Sequence, residues 1–393
     1  MTDILHFNFT ADWLVILLPV MGFVLGYVIA RRRLRKQKKK LRFSNDYFQG
    51  LNYLLNDQQD KALDIFIELV ETDWETIDTS LALGAIFRRQ GEIDKAIKLH
   101  QNLLARPSLP AEYKSTVLIS LAKDYLQAGW LDRAEGLFKQ VVEDEEYTQE
   151  AQKCLMSIYE SEQEWDQAIN IAIRHQRRGD GRLNRVIAQY YCELSQQMIT
   201  QQDFREAESL ATQALNVDKN CVRASIMLAD LAINRGRPQK AIRFLRQVEQ
   251  QDIQMFPLVV KRLLLCYRNL SSLPKGLAYL QSIDRKYPEL PLLNQLVPLI
   301  EELHGNQAAM EYLSDAASRH PSLSALKALV DAQIKQPAGQ QHDYTESIIP
   351  GVVNAIIARH HAYQCVKCGY TANTHVWLCP TCHSWSSMAP KAD

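Results

Sequence analysis

Four cysteines near the end of the chain have the types and spacing of a metal site. They form two C-x-x-C pairs, Cys365/Cys368 and Cys379/Cys382, with ten residues between the pairs. Each C-x-x-C can make a tight turn that aims two thiolates at one point, and two such turns complete a tetrahedral site of four sulfurs. The spacing therefore predicts one metal ion bound by these cysteines. Iron and zinc both accept four thiolates, so the sequence leaves the metal open.

Other groups close to the pairs are less suited to bind the ion. The histidines nearby are His360, His361, His375 and His383. They are unnecessary as ligands because four cysteines already complete a tetrahedral set. A disulfide or redox dithiol is a minor alternative at this spacing in a cytoplasmic chain. Trp377 and Trp385 are predicted to cover the small core of this segment or to contact the rest of the protein.

The remaining cysteines and the other polar residues do not indicate catalysis. Cys154, Cys192, Cys221 and Cys266 lie singly inside helical patterns without disulfide spacing, which predicts buried, reduced thiols. No paired carboxylates, nucleophile triad or phosphate loop stands out from the pattern. Acidic residues mostly alternate with Lys and Arg, as on solvated helix faces, and four further histidines are scattered: His100, His175, His304 and His320. We therefore expect a protein that is not an enzyme.

The charge of the chain is unevenly distributed. The 393 residues carry a formal net charge of zero, but residues 31–42 hold nine basic residues and no acidic one. The rest of the chain then has 36 basic against 45 acidic residues. A mildly acidic body argues against wholesale nucleic-acid binding.

The basic run follows a segment that is predicted to span a membrane. Residues 13–30 are eighteen residues without a charge, and a helix of that length is about 27 Å long, close to the thickness of a bilayer core. A cleaved signal peptide would carry its positive charge before the apolar run. The positive-inside rule places residues 1–12 outside, a basic juxtamembrane segment at 31–44, and the rest in the cytoplasm.

The middle of the chain repeats with a period near 34 residues. Small residues recur at Ala62, Ala96, Ala134, Ala168, Ala207, Ala241, Gly276 and Ala309, with gaps of 34, 38, 34, 39, 34, 35 and 33. Small residues let paired helices approach closely, and a glycine between the helices supplies a left-handed cap. This pattern resembles the tetratricopeptide repeat family. It predicts an all-α solenoid of about eight repeats over 45–335, with insertions at 105–114 and near 175–185.

Two segments follow the repeats. Residues 336–362 read as a Pro/Gly/Gln break and then a helix, and 363–393 form the four-cysteine domain. Its stretches "CVKCGY" and "CPTCHSW" resemble rubredoxin-type knuckles in a short form. The ten-residue spacer leaves little protein to shield an iron centre or tune its potential, which argues against electron transfer. So short a domain could hardly fold without a metal.

The order of these parts is more diagnostic than any one of them. An N-terminal anchor, a basic stop, the repeats and the knuckle together resemble the lipopolysaccharide assembly protein B (LapB/YciM) family of Gram-negative bacteria. The stretches that carry the resemblance are "DYFQGLNYLLNDQQDKALDIF", "GEIDKAIKLHQ", "KDYLQAGWLDRAE" and "YQCVKCGYTANTHVWLCPTCHSWS". Residues 1–12 are longer than the family pattern leads us to expect.

The resemblance implies a non-enzymatic adaptor on the cytoplasmic face of the bacterial inner membrane. Its implied partners are an FtsH-type membrane protease, an LpxC-type deacetylase of lipid A synthesis, and lipopolysaccharide assembly and transport proteins. No nucleic-acid partner is expected, and a homo-oligomer is one of the assemblies left open. From its adjacent position in the chain, we expect the knuckle to pack against the last repeats.

Two other interpretations stay open at this stage. One is a rubredoxin-like electron-transfer protein with iron in the tail. The other is a nucleic-acid-binding zinc ribbon on a membrane tether. The segment 363–393 has Lys367 and Lys391 as its only Lys or Arg, which is a poor footprint for phosphates.

Overall fold

A computed structural model describes residues 77–107, 109–144, 147–174, 181–319 and 363–390, with four isolated positions before them. The predicted segments 1–12, 13–30, 31–44 and 336–362 lie outside these residues, as do most of the first repeat and the end of the array. Within the described ranges, no helix is both long and apolar enough to cross a membrane.

The repeat region is built of α-helices, as the sequence predicts. The described residues contain fourteen of them: α1 Ile77–Arg89, α2 Ile93–Leu104, α3 Ala111–Gln127, α4 Leu131–Val141, α5 Thr148–Glu162, α6 Trp165–Arg174, α7 Asn184–Thr200, α8 Phe204–Val217, α9 Val222–Asn234, α10 Pro238–Gln251, α11 Pro257–Asn269, α12 Leu273–Lys286, α13 Leu293–His304 and α14 Asn306–Arg319. Short 3-10 helices lie at Gly181–Leu183 and Ile253–Met255. The chain divides into two compact units, residues 1–158 and 159–393.

The helices pair as repeats around the small residues that define the period. Ala96, Ala134, Ala168, Ala207 and Ala241 are completely buried in the second helix of their pairs. Gly276 takes this place in α12, where an added Cβ would come within 2.8 Å of the Tyr267 ring in α11. Close approach of the two helices therefore limits the size of this residue.

Every described turn inside a helix pair contains a residue in the left-handed region. Four are glycines, as the sequence predicts: Gly91, Gly129, Gly236 and Gly305, at φ 82°, 76°, 68° and 87°. In three other pairs the place is taken by Gln163, Gln202 and Ser271, at φ 60°, 65° and 48°. The amide that follows each of these three bonds back to a carbonyl of the preceding helix, for example Asp203 N–H to Met198 O at 2.9 Å. The first helix of each of these pairs therefore ends with the same geometry, although glycine is absent.

The longer gaps in the repeat period fall at connections between pairs. Helix α2 ends at Leu104 and α3 begins at Ala111, so the first predicted insertion lengthens the link between two repeats. The second insertion lies partly outside the described residues, and the 3-10 helix at Gly181–Leu183 leads from it into α7.

Ion pairs join the first helices of neighbouring repeats. In the first unit, Arg88 of α1 contacts Asp124 of α3 at 2.6 Å. In the second unit, Arg262 of α11 reaches both carboxylate oxygens of Asp230 in α9, at 2.7 and 3.1 Å. Both pairs link repeats. The Asp124 carboxylate is buried, whereas Arg262 and Asp230 are 39% and 42% exposed and so lie on a solvated face, as the sequence pattern predicts.

One of the scattered histidines is part of the core. His100 in α2 and Asp124 in α3 are both fully buried and form a hydrogen bond through His100 Nδ1. Arg88 bonds to the other oxygen of the same carboxylate. His100 also lies where a Cβ on Gly84 would be, which explains the glycine in α1. His100 therefore has a role in core packing, and nothing in the sequence indicated that Asp124 is its partner.

The left-handed turns generate a prediction about stability. We expect Gly236→Ala to lower the free energy of unfolding by about 1 kcal/mol, because an L-residue in this region costs roughly 1–2 kcal/mol. Gln202→Gly, in the equivalent turn, should raise it by up to about 1 kcal/mol, since the relieved strain exceeds the backbone entropy cost of glycine, about 0.5–1 kcal/mol. Urea unfolding of the purified chain followed by circular dichroism measures both. Changes of the same sign in the two variants would contradict this account.

Candidate metal centre

A three-stranded antiparallel sheet holds the four-cysteine domain together. Strand β1, Tyr363–Cys365, lies between β2, Thr371–Ala372, and β3, Met388–Pro390. Cys365 is opposite Met388 in this register, and Leu378 forms an isolated bridge with Trp385. The sheet fixes the first cysteine of the first pair, and the bridge holds the loop that carries the second pair.

The two C-x-x-C pairs adopt the same turn. In the first, the Gly369 amide donates to Cys365 O at 2.9 Å and the Cys365 amide donates to Tyr370 O at 2.7 Å. In the second, the His383 amide donates to Cys379 O at 2.9 Å and the Cys379 amide to Ser384 O at 3.1 Å. Gly369 and His383 occupy the left-handed position after their pairs, at φ 79° and 49°. His383 therefore completes the second C-x-x-C turn, as Gly369 completes the first; each such turn is called a knuckle below.

The turns bring all four predicted ligands to one point. Their sulfurs lie within 4.8 Å of one another. Across the two knuckles, Cys365 Sγ lies 3.7 Å from Cys382 Sγ, and Cys368 Sγ lies 3.7 Å from Cys379 Sγ. A tetrahedron with metal–sulfur bonds of about 2.3 Å has edges of about 3.8 Å. The arrangement thus fits a four-coordinate thiolate site, and its chemistry suits zinc or iron.

The four thiols lie in different environments, which lower the pKa of two of them and raise the pKa of a third. The Ser387 hydroxyl, 3.3 Å from Cys365 Sγ, and the backbone amides of Cys368 and Lys367 lower the pKa of Cys365 to about 6. The Ser384 side chain and amide lower the pKa of Cys382. The Tyr370 amide acts to lower the pKa of Cys368, but burial and the neighbouring thiols raise it to about 12.

His375, the other nearby histidine in the described residues, lies inside the domain core. Its ring contacts Tyr363 and Trp377, with ring centroids 5.4 and 4.4 Å apart. Burial lowers the pKa of His375 to about 4. The ring is therefore neutral at pH 7 and packs between two aromatic side chains, outside the group of four sulfurs.

Trp385 attaches the domain to the repeats. Its buried indole meets Trp165 at the start of α6 and Tyr190 in α7 edge to face, with centroids 6.3 and 6.1 Å apart. The indole Nε1 donates to Glu160 Oε1 at 3.0 Å. The Tyr190 hydroxyl donates to the same oxygen at 2.6 Å. An aromatic socket with one charged acceptor thus holds the loop after Cys382.

Further contacts extend this docking across three repeats. The Arg185 side chain reaches Ser386 O at 3.3 Å. The Arg223 guanidinium lies 6.0 Å from the centre of the Trp377 ring and donates to Glu193 at 2.9 Å. Strand β3 lies against the 3-10 helix Ile253–Met255. The two tryptophans both contact the repeats, as the sequence analysis allowed.

The place of docking corrects one expectation. In the described residues, the domain's hydrogen bonds and ring contacts are with the fourth to sixth repeats, which contain Trp165, Tyr190 and Arg223, whereas the sequence analysis expected the last repeats. The reason is chemical complementarity: the buried aromatic rings and the Glu160 acceptor lie in the middle of the array.

Comparison with known families agrees with both parts of the structure. Residues 363–390 match the family described as "Rubredoxin metal binding domain". Residues 79–110 and 198–254 match tetratricopeptide repeat families. The C-terminal part of a TPR repeat-containing protein from Cytophaga hutchinsonii is a similar solved structure, 13% identical, with a TM-score of 0.37, covering 72% of this chain and 99% of that one.

Curated relatives match nearly the whole length. "Lipopolysaccharide assembly protein B" of Escherichia coli K12 is 32% identical over 381 residues, which are 96% of this chain and 98% of the relative. The protein of the same name from Haemophilus influenzae is 32% identical over 393 aligned residues, with the same coverage of both chains.

The thiol pKa values generate a prediction about metal uptake. We expect zinc binding by the metal-free chain at pH 7.5 to release protons, because Cys368, with its pKa near 12, must ionise to become a ligand. Calorimetric titration in two buffers of different ionisation enthalpy counts the protons. Apparent zinc affinity should rise with pH across neutrality, and a pH-independent affinity without proton release would contradict the prediction.

The Trp385 socket generates a prediction about docking. Trp385→Phe keeps an aromatic ring but removes the donor to Glu160, a bond to a charged group worth about 1.5–3 kcal/mol. We expect faster hydrogen exchange at the amides of Cys379 and Ser386, and a larger effect in Trp385→Ala. Trp130→Phe, a change at an exposed tryptophan, is the matched control. Equal exchange in all variants would show that this contact does not hold the domain.

Proposed function

Because this chain belongs to the lipopolysaccharide assembly protein B family, we propose that it is a membrane-anchored adaptor in lipopolysaccharide assembly. The adaptor has no catalytic centre of its own and lies on the cytoplasmic side of the bacterial inner membrane. It promotes degradation of an LpxC-type deacetylase by an FtsH-type protease and connects to lipopolysaccharide assembly and transport proteins.

One observation supports this proposal above the others: the similarity to the family covers 96% of the chain at 32% identity, so it extends over nearly the whole length. A partial match to repeats alone would support only a protein-binding solenoid. The charge pattern agrees with the anchor, since the basic run directly follows eighteen uncharged residues. We assign 13–30 to the span, 31–44 to the juxtamembrane segment, 45–335 to the repeats and 336–362 to the linker.

The four cysteines are proposed as ligands of one iron or zinc ion with a structural role. When bound, the ion holds both knuckles at one point and stabilises a domain with a very small core. The sulfur separations of 3.7 Å across the knuckles support this assignment. The loop between Cys382 and β3 carries Trp385, so a fixed knuckle presents the indole to Glu160.

The adaptor mechanism follows from these positions. The anchor confines the chain and a membrane protease to one plane, which raises their effective concentration without any new contact. The repeats offer a surface that can hold the client. The four-cysteine domain braces repeats four to six, so the surface that these repeats present depends on the metal-stabilised domain.

Crosslinking at the membrane tests the proposal. We expect the full-length chain, crosslinked in cells at native abundance, to recover the protease and the deacetylase. Changing Cys365 and Cys368 together to Ser should lose the metal and reduce deacetylase recovery at least several-fold. Cys266→Ser is the matched control, since Cys266 is buried in α11 and is not one of the four predicted ligands. Deletion of residues 1–30 should reduce protease recovery while the repeats remain folded.

Two outcomes would contradict the proposal. Recovery of a reductase in place of the protease would favour electron transfer by an iron centre. Normal recovery of both partners by the metal-free double variant would separate the knuckle from the adaptor function.

A further inference from the structure

Two of the cysteines that lie far apart in the sequence touch in the structure. Cys192 in the middle of α7 and Cys221 at the start of α9 have their sulfurs 3.8 Å apart. They are 0% and 2% exposed and lie in one apolar cluster with Ala188, Ala224 and Met227. A disulfide requires a sulfur–sulfur separation of about 2.05 Å. The pair is therefore within a small movement of a covalent bond between the fifth and sixth repeats.

The surroundings of the pair favour a thiolate on Cys221. The Gln189 amide group lies within hydrogen-bond distance of Cys221 Sγ, at 3.5 Å. The Cys192 thiol and the Ala224 backbone amide at the N-terminal end of α9 lower the pKa of Cys221. The pKa of Cys192 is raised by its bond to Cys221 and by burial. One sulfur is thus prepared as the nucleophile, and the other stays protonated beside it.

We propose that Cys192 and Cys221 are an oxidation site that forms a reversible disulfide with hydrogen peroxide, and that the bond loosens the four-cysteine domain from α9. Hydrogen peroxide is the class of oxidant that fits, because both sulfurs are buried and a bulky disulfide reagent would not reach them.

The chemistry needs no other reactant. The Cys221 thiolate attacks one peroxide oxygen, so that an S–O bond forms, the O–O bond breaks and hydroxide leaves as water after taking a proton. Cys192 then attacks the Cys221 sulfenic acid. The S–S bond forms, the S–O bond breaks, and the hydroxyl leaves as a second water with the Cys192 proton. Two thiols are oxidised by two electrons and one peroxide is reduced to two waters.

Gln189 connects this bond to the docked domain. Its side-chain amide contacts Cys221 Sγ, while its Oε1 lies 3.5 Å from Nη1 of Arg223. Arg223 stands two residues after Cys221 and faces the Trp377 ring. Drawing Cys221 toward Cys192 moves the start of α9 and removes the thiol from Gln189. The position of Arg223 under Trp377 then changes, while the Trp385 socket stays in place.

Peroxide treatment of the zinc-loaded full-length chain tests the proposal. After quenching with catalase, the chain is unfolded, blocked with N-ethylmaleimide, digested and analysed by mass spectrometry. We expect a peptide pair joined through Cys192 and Cys221, lighter by two hydrogens and separated by dithiothreitol. In Cys192→Ser, the sulfenic acid on Cys221 should react with dimedone that is present while the treated chain is unfolded. Cys266→Ser, at a buried cysteine whose pKa is raised by burial, should keep the crosslink at the wild-type yield.

The results that would overturn the proposal are distinct for its two halves. Full alkylation of both Cys192 and Cys221 after treatment, or oxidation of Cys221 no faster than Cys266, would exclude the oxidation site. For the second half, hydrogen exchange in residues 375–378 should quicken several-fold in the crosslinked chain and return after reduction. Unchanged exchange there would show that the disulfide does not reach the domain. The wild-type measurement needs no variant to fold.

Discussion

The position of the four-cysteine domain depends on one half-buried carboxylate. Glu160 Oε1 accepts hydrogen bonds from the Tyr190 hydroxyl and the Trp385 indole, one from the array and one from the tail. Both donors are buried, so without the acceptor each would lose its partner at a cost of about 1–3 kcal/mol. Burial and the nearby Glu160 charge also raise the pKa of Tyr190, which keeps its hydroxyl a donor at any physiological pH. The rings fill the socket, and the carboxylate orients them.

The metal site and the docking surface share one short stretch of backbone. The Cys379 amide bonds to Ser384 O, Leu378 bridges to Trp385, and the Ser386 amide bonds to Trp377 O at 2.7 Å. The knuckle that aims Cys379 and Cys382 inward is thus the same loop that aims the indole outward. A domain this small buries little apolar surface on its own. The aromatic socket on one side of the loop compensates for that deficit, as does the metal proposed on the other side.

Sequence reasoning succeeded where a contact follows from local spacing. The period in small residues located the helix pairs, glycines marked four left-handed turns, and two C-x-x-C pairs located the sulfurs that meet. It failed at left-handed turns that contain no glycine, such as the turn at Gln202. It also failed where partners come from different repeats, since His100 meets Asp124 only after two helices pack. The sequence predicts Cys192 and Cys221 as separate buried thiols, because their separation of 29 positions is not the repeat period.

The docked tail also changes the mechanics of the solenoid. In a repeat array each unit contacts its neighbours, so hydrogen bonds between repeats here join residues about one period apart, such as Arg262 and Asp230, 32 apart. The tail contacts join residues 201 and 225 positions apart, and they touch three consecutive repeats at once. Bending between the fourth and sixth repeats must therefore break tail contacts as well as helix contacts. The tail contacts therefore brace the fourth to sixth repeats against bending, in addition to the helix contacts between neighbours.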